Sequence, residues 1–470
     1  MMKSGMRFSE GNVSEEKKNV EEELQQKREA RRKRRQRNQI LAYLVVILMI
    51  ALLGGGILGL IHWASKEPAG SEVASTASTQ SGEESEETLP SETSETSSEE
   101  ETEVVESSEP EETEPLVVEL TYEQKLDQIV NAAIEVMPLE DKVAGLFIVT
   151  PELLTGVKPV TRAGDSTKAA LGKYAVGGVL YTSRNVKNES SFKTMLENTV
   201  LYSKYPVFLA VEEEGGAASP MVKAKLGTGT DSAKAIGATG DPQNAYQAAL
   251  TVGGYLKDLG ITMNLAPVAD LAVVENGIMD ERSYGNDAGV VFDYVTNAIK
   301  GYEEQGIVPC VKHFPGMGSV TVDPEKGVAV SERTDAELWE NELGLFRMLA
   351  ELRVPVIMVG NHAMPSLTGD NTPCCLASSV VTDILRNQLN YDGLVITDML
   401  NDKAVSDYYS SEEAAIMAFK AGCDVILCPE NFEEAYNGVL KAVQDGTISQ
   451  ERIDDALRRV YRIKYADRVE

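Results

Sequence analysis

Residues 119–470 predict a parallel α/β barrel of the (β/α)₈ TIM type, and three observations carry that prediction. Eight short, apolar, β-branched runs recur along this part of the chain, separated by helix-length amphipathic stretches. A region of about 350 residues suits one such barrel with insertions. Several of the runs also stop abruptly on ionisable residues, as strands do where a barrel opens to a ligand.

In order, the runs are GLFIV (145–149), GGVLY (177–181), VFLAV (207–211), TMNLAPV (262–268), VPCVKHF (308–314), VPVIMVG (354–360), GLVIT (393–397) and DVILC (424–428). Near-continuous apolar character, without polar alternation, is what strands covered on both faces require. An open doubly wound sheet is the architectural alternative, but no G-x-G-x-x-G turn follows the first run.

Three segments precede the barrel. Residues 1–38 form a basic tail with 12 basic and 7 acidic side chains, ending in a dense Arg/Lys cluster. Within 39–63 lies an uninterrupted apolar run of 22 residues, Ile40 to Ile61. At about 1.5 Å per residue this spans a hydrocarbon core of roughly 30 Å. Basic residues before it and acidic ones after it orient the tail inward and the barrel outward, as a single-pass cell-membrane anchor. A cleaved signal peptide is the rival, though the run exceeds the usual 7–15 apolar residues and no clear A-x-A site follows. Residues 64–118 are Ser, Thr, Glu and Pro with little to bury, a composition that predicts a disordered, extended linker.

Net charge is −30 over 470 residues. Residues 67–115 hold 17 Glu and no Lys or Arg, leaving −19 on residues 116–470. A globular part this acidic repels polyanions, which argues against nucleic acid as a partner. The five cysteines show no CxxC or Cys/His spacing for zinc and read as small buried thiols, and no cofactor is called for.

The strand ends carry the unusual chemistry. VFLAV is followed by Glu212-Glu213-Glu214, and three adjacent carboxylates cannot all be buried and ionised without cations or large pKa shifts. A solvated acidic loop is the plain alternative. Asp270 follows TMNLAPV, with Arg282 soon after; Lys312 and His313 end their run, with Asp323 and Glu325 beyond; Asn361 and His362 follow VPVIMVG; Asp398 follows GLVIT. Core histidines remain the alternative for His313 and His362. Several such ends on one side of a barrel converge on a single cavity.

This constellation resembles glycoside hydrolase family 3, specifically its single-barrel bacterial β-N-acetylhexosaminidase branch. The resemblance runs from LEDKVAGLFIV (139–149) through VEEEGG, MNLAPVAD, ERSYG, KHFPGMG and NYDGLVITDM to ISQERIDDALRRVYRIK (448–464). It implies a retaining mechanism on a glycan, including peptidoglycan-derived material. Asp398 matches the nucleophile. Lys312, His313 and Arg282 match positions that bind sugar hydroxyls, and Glu212 leads the sugar clamp. Asp323 matches the Asp of the family's Asp–His acid/base pair.

Two stretches depart from the family. Its loop reads K-H-F-P-G-H-G-D-T-x-x-D-S-H, and this chain has Met317, Ser319, Val320, Pro324 and, at the catalytic His position, Glu325. Its clamp reads D-x-E-G-G-R-V-x-R, and here Ala217 and Pro220 stand at the arginines, with Lys223 and Lys225 the nearest cations. Two expectations follow. Either Glu325 is the general acid/base, its pKa raised by burial and by Asp323, or the site has lost turnover and the protein is a glycan-binding or scaffold protein of the cell envelope.

Overall fold

A computed structural model describes residues 120–469. The expected tail, anchor and linker lie outside those residues, and among the described ones no helix is long and apolar enough to cross a membrane.

Nine strands form one parallel sheet: β1 (Phe147–Val149), β2 (Gly178–Leu180), β3 (Phe208–Val211), β4 (Met263–Asn264), β5 (Val308–Pro309), β6 (Val311–Phe314), β7 (Val356–Val359), β8 (Leu394–Met399) and β9 (Val425–Leu427). Their lateral order is β5-β4-β3-β2-β1-β9-β8-β7-β6. The two edges of that order, β5 and β6, are consecutive stretches of one run, separated only by Cys310. Val308 and Pro309 pair with β4, whereas Val311 and Phe314 pair with β7. The Cys310 amide donates to the carbonyls of Asn264 (3.0 Å) and Ala266 (2.9 Å), and the Ala269 amide donates to the Lys312 carbonyl at 2.6 Å. The sheet therefore curls back on itself into a nearly closed barrel. Each of the eight runs read from the sequence supplies a strand, and the fifth supplies both halves of the seam.

Helices wrap the outside because their apolar residues recur on one face. Tyr122–Glu135 starts at Thr121, whose side chain and Gln124 form a reciprocal capping box. It buries Leu126, Val130 and Ile134, a stripe at four-residue spacing, beside the closing helix Gln450–Lys464. Each such aliphatic side chain contributes roughly 1.5–3 kcal/mol when fully buried. Arg462 of the closing helix also pairs with Glu123 and Asp127, so these two helices are joined by charge as well.

At the strands' entry end, Asp424 immediately precedes β9 and is fully buried. Its carboxylate accepts from Arg386 Nη2 at 2.5 Å, Arg452 Nη1 at 3.2 Å, Arg459 Nη1 at 3.3 Å and the Val395 amide at 3.0 Å. This knot ties the helices Ser379–Gln388 and Gln450–Lys464 to the beginnings of β8 and β9. All five cysteines are buried thiols.

Candidate active site

Glu212, Glu213 and Glu214 follow β3, Lys312 and His313 lie in β6 and Asp398 in β8, whereas Asp270, Arg282, Asp323 and Glu325 lie on longer connections. Two irregularities of the sheet explain how the strand residues are displayed. The β6–β7 register shifts between Val311 and Phe314, across Lys312 and His313. The β8–β9 register shifts between Ile396 and Met399, across Thr397 and Asp398. Bulges of this kind turn side chains out of the regular alternation. At the second one, Thr397 Oγ1 accepts the Leu427 amide at 3.0 Å, and Asp398 accepts its neighbour Met399's amide at 2.8 Å. Asp398 is left half-buried at the mouth.

The Glu212–Glu214 run separates by strand geometry, in which alternate residues face opposite ways. Lys312, fully buried, bonds Glu212 and Glu214 at 2.5 Å each. Arg282 grips Glu214 with a two-point fork, Nε at 2.7 Å and Nη2 at 2.6 Å. Burial pushes the Glu214 carboxyl up, but Lys312 and Arg282 outweigh it and hold the pKa well below the usual range. Burial likewise opposes charge on Lys312, and Glu212 and Glu214 reverse that, raising its pKa. Glu213 points the other way, accepting from the Met221 amide (2.8 Å), the Val222 amide (3.2 Å) and Tyr255 Oη (2.8 Å). It holds the start of the helix Pro220–Lys223 and takes no part in the mouth. Lys223 and Lys225 are exposed and form no ion pair among the described residues.

His313 pairs with Asp270, a strand-end residue to which the sequence assigned no partner: its Nδ1 lies 2.6 Å from Asp270 Oδ2, while Asp270 Oδ1 accepts the Met317 amide at 2.6 Å. Although burial opposes ionisation of Asp270, His313 outweighs it and the pKa is lowered. His362 is fully buried, neither ring nitrogen has a hydrogen-bond partner among the described residues, and burial drives its pKa down to about 4. It is a neutral core histidine.

The segment carrying Asp323 and Glu325 is long and packs on apolar residues of its own. Met317, Val320 and Ala329 close on Val268 and Met279 to form a second, small apolar core beneath it. Gly318 is required by proximity, since a Cβ there would stand 1.6 Å from the Leu271 carbonyl oxygen. The segment's far side is stitched by the Val330–Ala363 bridge, and Ala404 N donates to the Pro324 carbonyl at 3.0 Å. Asp323 accepts the Glu325 amide at 3.1 Å and pairs with Lys326 at 3.1 Å. The Glu325 pKa is raised by burial first, then by Asp323, Glu212 and Asp398, with Arg282 opposing. Glu325 thus shares one electrostatic field with Asp398 and Glu212, from a different segment of chain.

Asp402 is a further carboxyl of the same field, four residues past Asp398. Burial, followed by Asp398, pushes its pKa up to about 8. Nothing in the sequence distinguished it, because an Asp before a short helix reads as an ordinary N-cap. In the structure its side chain makes no capping bond and accepts from Asn361 Nδ2 at 2.9 Å instead.

Among the described residues, no group of His, Cys, Asp and Glu is arranged to hold a metal ion. A cavity of about 460 Å³ opens at the opposite end of the barrel, beside Asp392, Arg458, Arg459 and Arg462. Those arginines are already paired with Asp392, Asp424, Asp455, Glu123 and Asp127, so that cavity lacks free charge for chemistry.

Residues 123–463 match the glycosyl hydrolase family 3 N-terminal domain. The chain is 26% identical over 323 residues to beta-hexosaminidase A of Pseudoalteromonas piscicida, covering 63% of this chain and 54% of that one, so it spans about half the length of this relative. It is 29% identical over 334 residues to beta-hexosaminidase LpqI of Mycobacterium tuberculosis, covering 69% and 82% respectively. Among solved structures, a glycoside hydrolase family 3 beta-N-acetylglucosaminidase from Paenibacillus superposes with a TM-score of 0.66 at 30% identity, over 71% of this chain and 63% of that one.

Proposed function

The chain belongs to glycoside hydrolase family 3, and on that footing we propose that it is a membrane-anchored, outward-facing glycoside hydrolase. It cleaves β-linked N-acetylhexosamine or a related cell-wall glycan with retention, using Asp398 as nucleophile and Glu325 as acid/base. The observation that carries this reading is the pair itself. Asp398 stands on the bulge of β8, and Glu325, on another segment, feels its charge.

In the first step Asp398 attacks the anomeric carbon, forming an ester to the sugar as the glycosidic C–O bond breaks, and Glu325 gives its proton to the departing oxygen. In the second, water attacks the same carbon and yields its proton to Glu325. The ester C–O bond breaks, Asp398 is regenerated as a carboxylate, and the free sugar leaves. Two inversions give retention. Asp323 supports Glu325 by bonding its amide and raising its pKa, which keeps the acid protonated at higher pH. Lys312, Glu212, Arg282 and His313 bind and orient sugar hydroxyls. The outward placement rests on the apolar run Ile40 to Ile61 and its basic flank.

The test uses the full-length protein in detergent with a panel of aryl β-glycosides. Release of the aryl alcohol and a transient one-sugar mass increment on Asp398 are expected; no release above an Asp398→Asn control overturns the reading. Protease added to intact cells degrades the barrel and spares an N-terminal tag if the topology is right. A second reading, a glycan-binding protein without turnover, is favoured by Ala217, Pro220 and Glu325 at family catalytic and clamp positions. It requires saturable binding of wall fragments that survives both Asp398→Asn and Glu325→Gln.

A further inference from the structure

Charge around Asp398 does not balance. Two cations reach the interior of the mouth, and both are engaged: Lys312 with Glu212 and Glu214, Arg282 with Glu214. Where the family pattern carries two more arginines, this chain has Ala217 and Pro220. Asp398, Glu325 and Asp402 form no ion pair with any described residue, and Asp323 has only the exposed Lys326.

Asp402 is the most informative of the three. It is only 9% exposed. One carboxyl oxygen accepts from Asn361, while the other takes no hydrogen bond from any described residue. Its place is built rather than incidental. Asn361 Nδ2 also donates to the Met399 carbonyl at 2.6 Å, and Cys375 Sγ donates to Asn361 Oδ1 at 3.0 Å. The Asp402 amide returns to that same Met399 carbonyl at 3.1 Å, folding the turn back beside Asp398. A buried carboxyl, fixed next to a nucleophile and given no cation, lacks a partner that a ligand can supply.

We propose that the sugar bound here carries a free amine, a β-linked 2-amino-2-deoxyhexose whose ammonium is held by Asp402 beside Asp398. This deepens the glycosidase reading above and rests on it for the orientation of the sugar. The protonation of Asp402 agrees with it. With a pKa of about 8, Asp402 takes up a proton at neutral pH, which is the cation available when no other is bound. The groups that set this balance are Asp398 on β8, Glu325 and Asp323 on the long segment, Glu212 and Glu214 past β3, Lys312 on β6, Arg282, and the neutral thiol of Cys375. An ammonium brought among them displaces the proton. An N-acetyl group, being uncharged, does not.

The experiment is titration calorimetry of the full-length wild-type protein in detergent at pH 6, with glucosamine and with N-acetylglucosamine, in two buffers of different ionisation enthalpy. Glucosamine is expected to bind about tenfold tighter or more, with release of a proton fraction that N-acetylglucosamine does not cause. Asp402→Asn should abolish the proton release and shrink the preference. Equal or tighter binding of N-acetylglucosamine overturns the proposal, as does proton release that persists in Asp402→Asn. The comparison of two ligands on the wild-type protein decides even where the variant folds poorly. Aryl β-glucosaminide and aryl N-acetyl-β-glucosaminide are assayed in parallel. A preference in binding with no cleavage of either substrate sinks the glycosidase reading and leaves the amine site standing; cleavage with no such preference does the reverse.

Discussion

Asp424 and Asp402 are both buried aspartates of one barrel, at opposite ends of neighbouring strands, and they are treated oppositely. Asp424 is surrounded by three arginines and a backbone amide. Asp402 has one neutral amide and stands beside another carboxyl, Asp398. A carboxylate saturated with cations serves as a rivet, because removing it strands several buried charges. One left short of them holds a proton and stores a demand for positive charge. On the proposed function the entry end of the barrel serves stability and the exit end chemistry, the division expected of this architecture.

Four experiments sharpen or break that contrast. Asp398→Asn should lower turnover on the order of 10⁴-fold or more while leaving the melting temperature near wild type; a large loss of stability would show that the exit end also carries the fold. Asp424→Ala should do the reverse, costing about 3–5 kcal/mol in denaturant unfolding with turnover per folded molecule preserved. Glu325→Gln should reduce turnover about 10²–10⁴-fold. In the wild type, the raised Glu325 pKa means that the acid form, and with it activity, is present at low pH and lost as pH rises through that pKa. The variant's pH–rate profile should lack that alkaline limb.

The smallest effect concerns stability at Asp402. Its folded pKa of about 8 lies above the ordinary 3.8, so the folded state binds a proton that the unfolded chain has released. Its contribution is therefore full below the unfolded value and declines as pH rises from about 4 towards 8. Asp402→Asn should flatten that decline in thermal melts taken across the range. An unchanged pH dependence would show that Asp402 does not hold that proton in the folded state.

Much of this was legible in the residues, for definite reasons. Strands covered on both faces write themselves as unbroken β-branched runs, and all eight were found. Polar groups at strand exits are conspicuous because they interrupt those runs. Even the Glu212–Glu214 run had a readable answer. Continuing the two-residue alternation past β3 puts Glu212 and Glu214 on one side and Glu213 on the other. Asp270 was noticed as a strand end but not as the partner of His313, since 43 residues separate them and only barrel closure brings them together. The pairing of Asp402 with Asn361 spans 41 residues and has no local signal. The split of the fifth run at Cys310 was equally silent, because pairing one strand with two neighbours is a property of the ring and not of its own side chains.

The small apolar core beneath the Asp323–Glu325 segment has a kinetic consequence. Were that segment to lift, Met317, Val320 and Ala329 would be wetted along with Val268 and Met279. Exposing apolar surface raises heat capacity. Where lifting limits the cycle, its Eyring plot bends, whereas a segment made only of glycine and polar residues would swing with no such curvature.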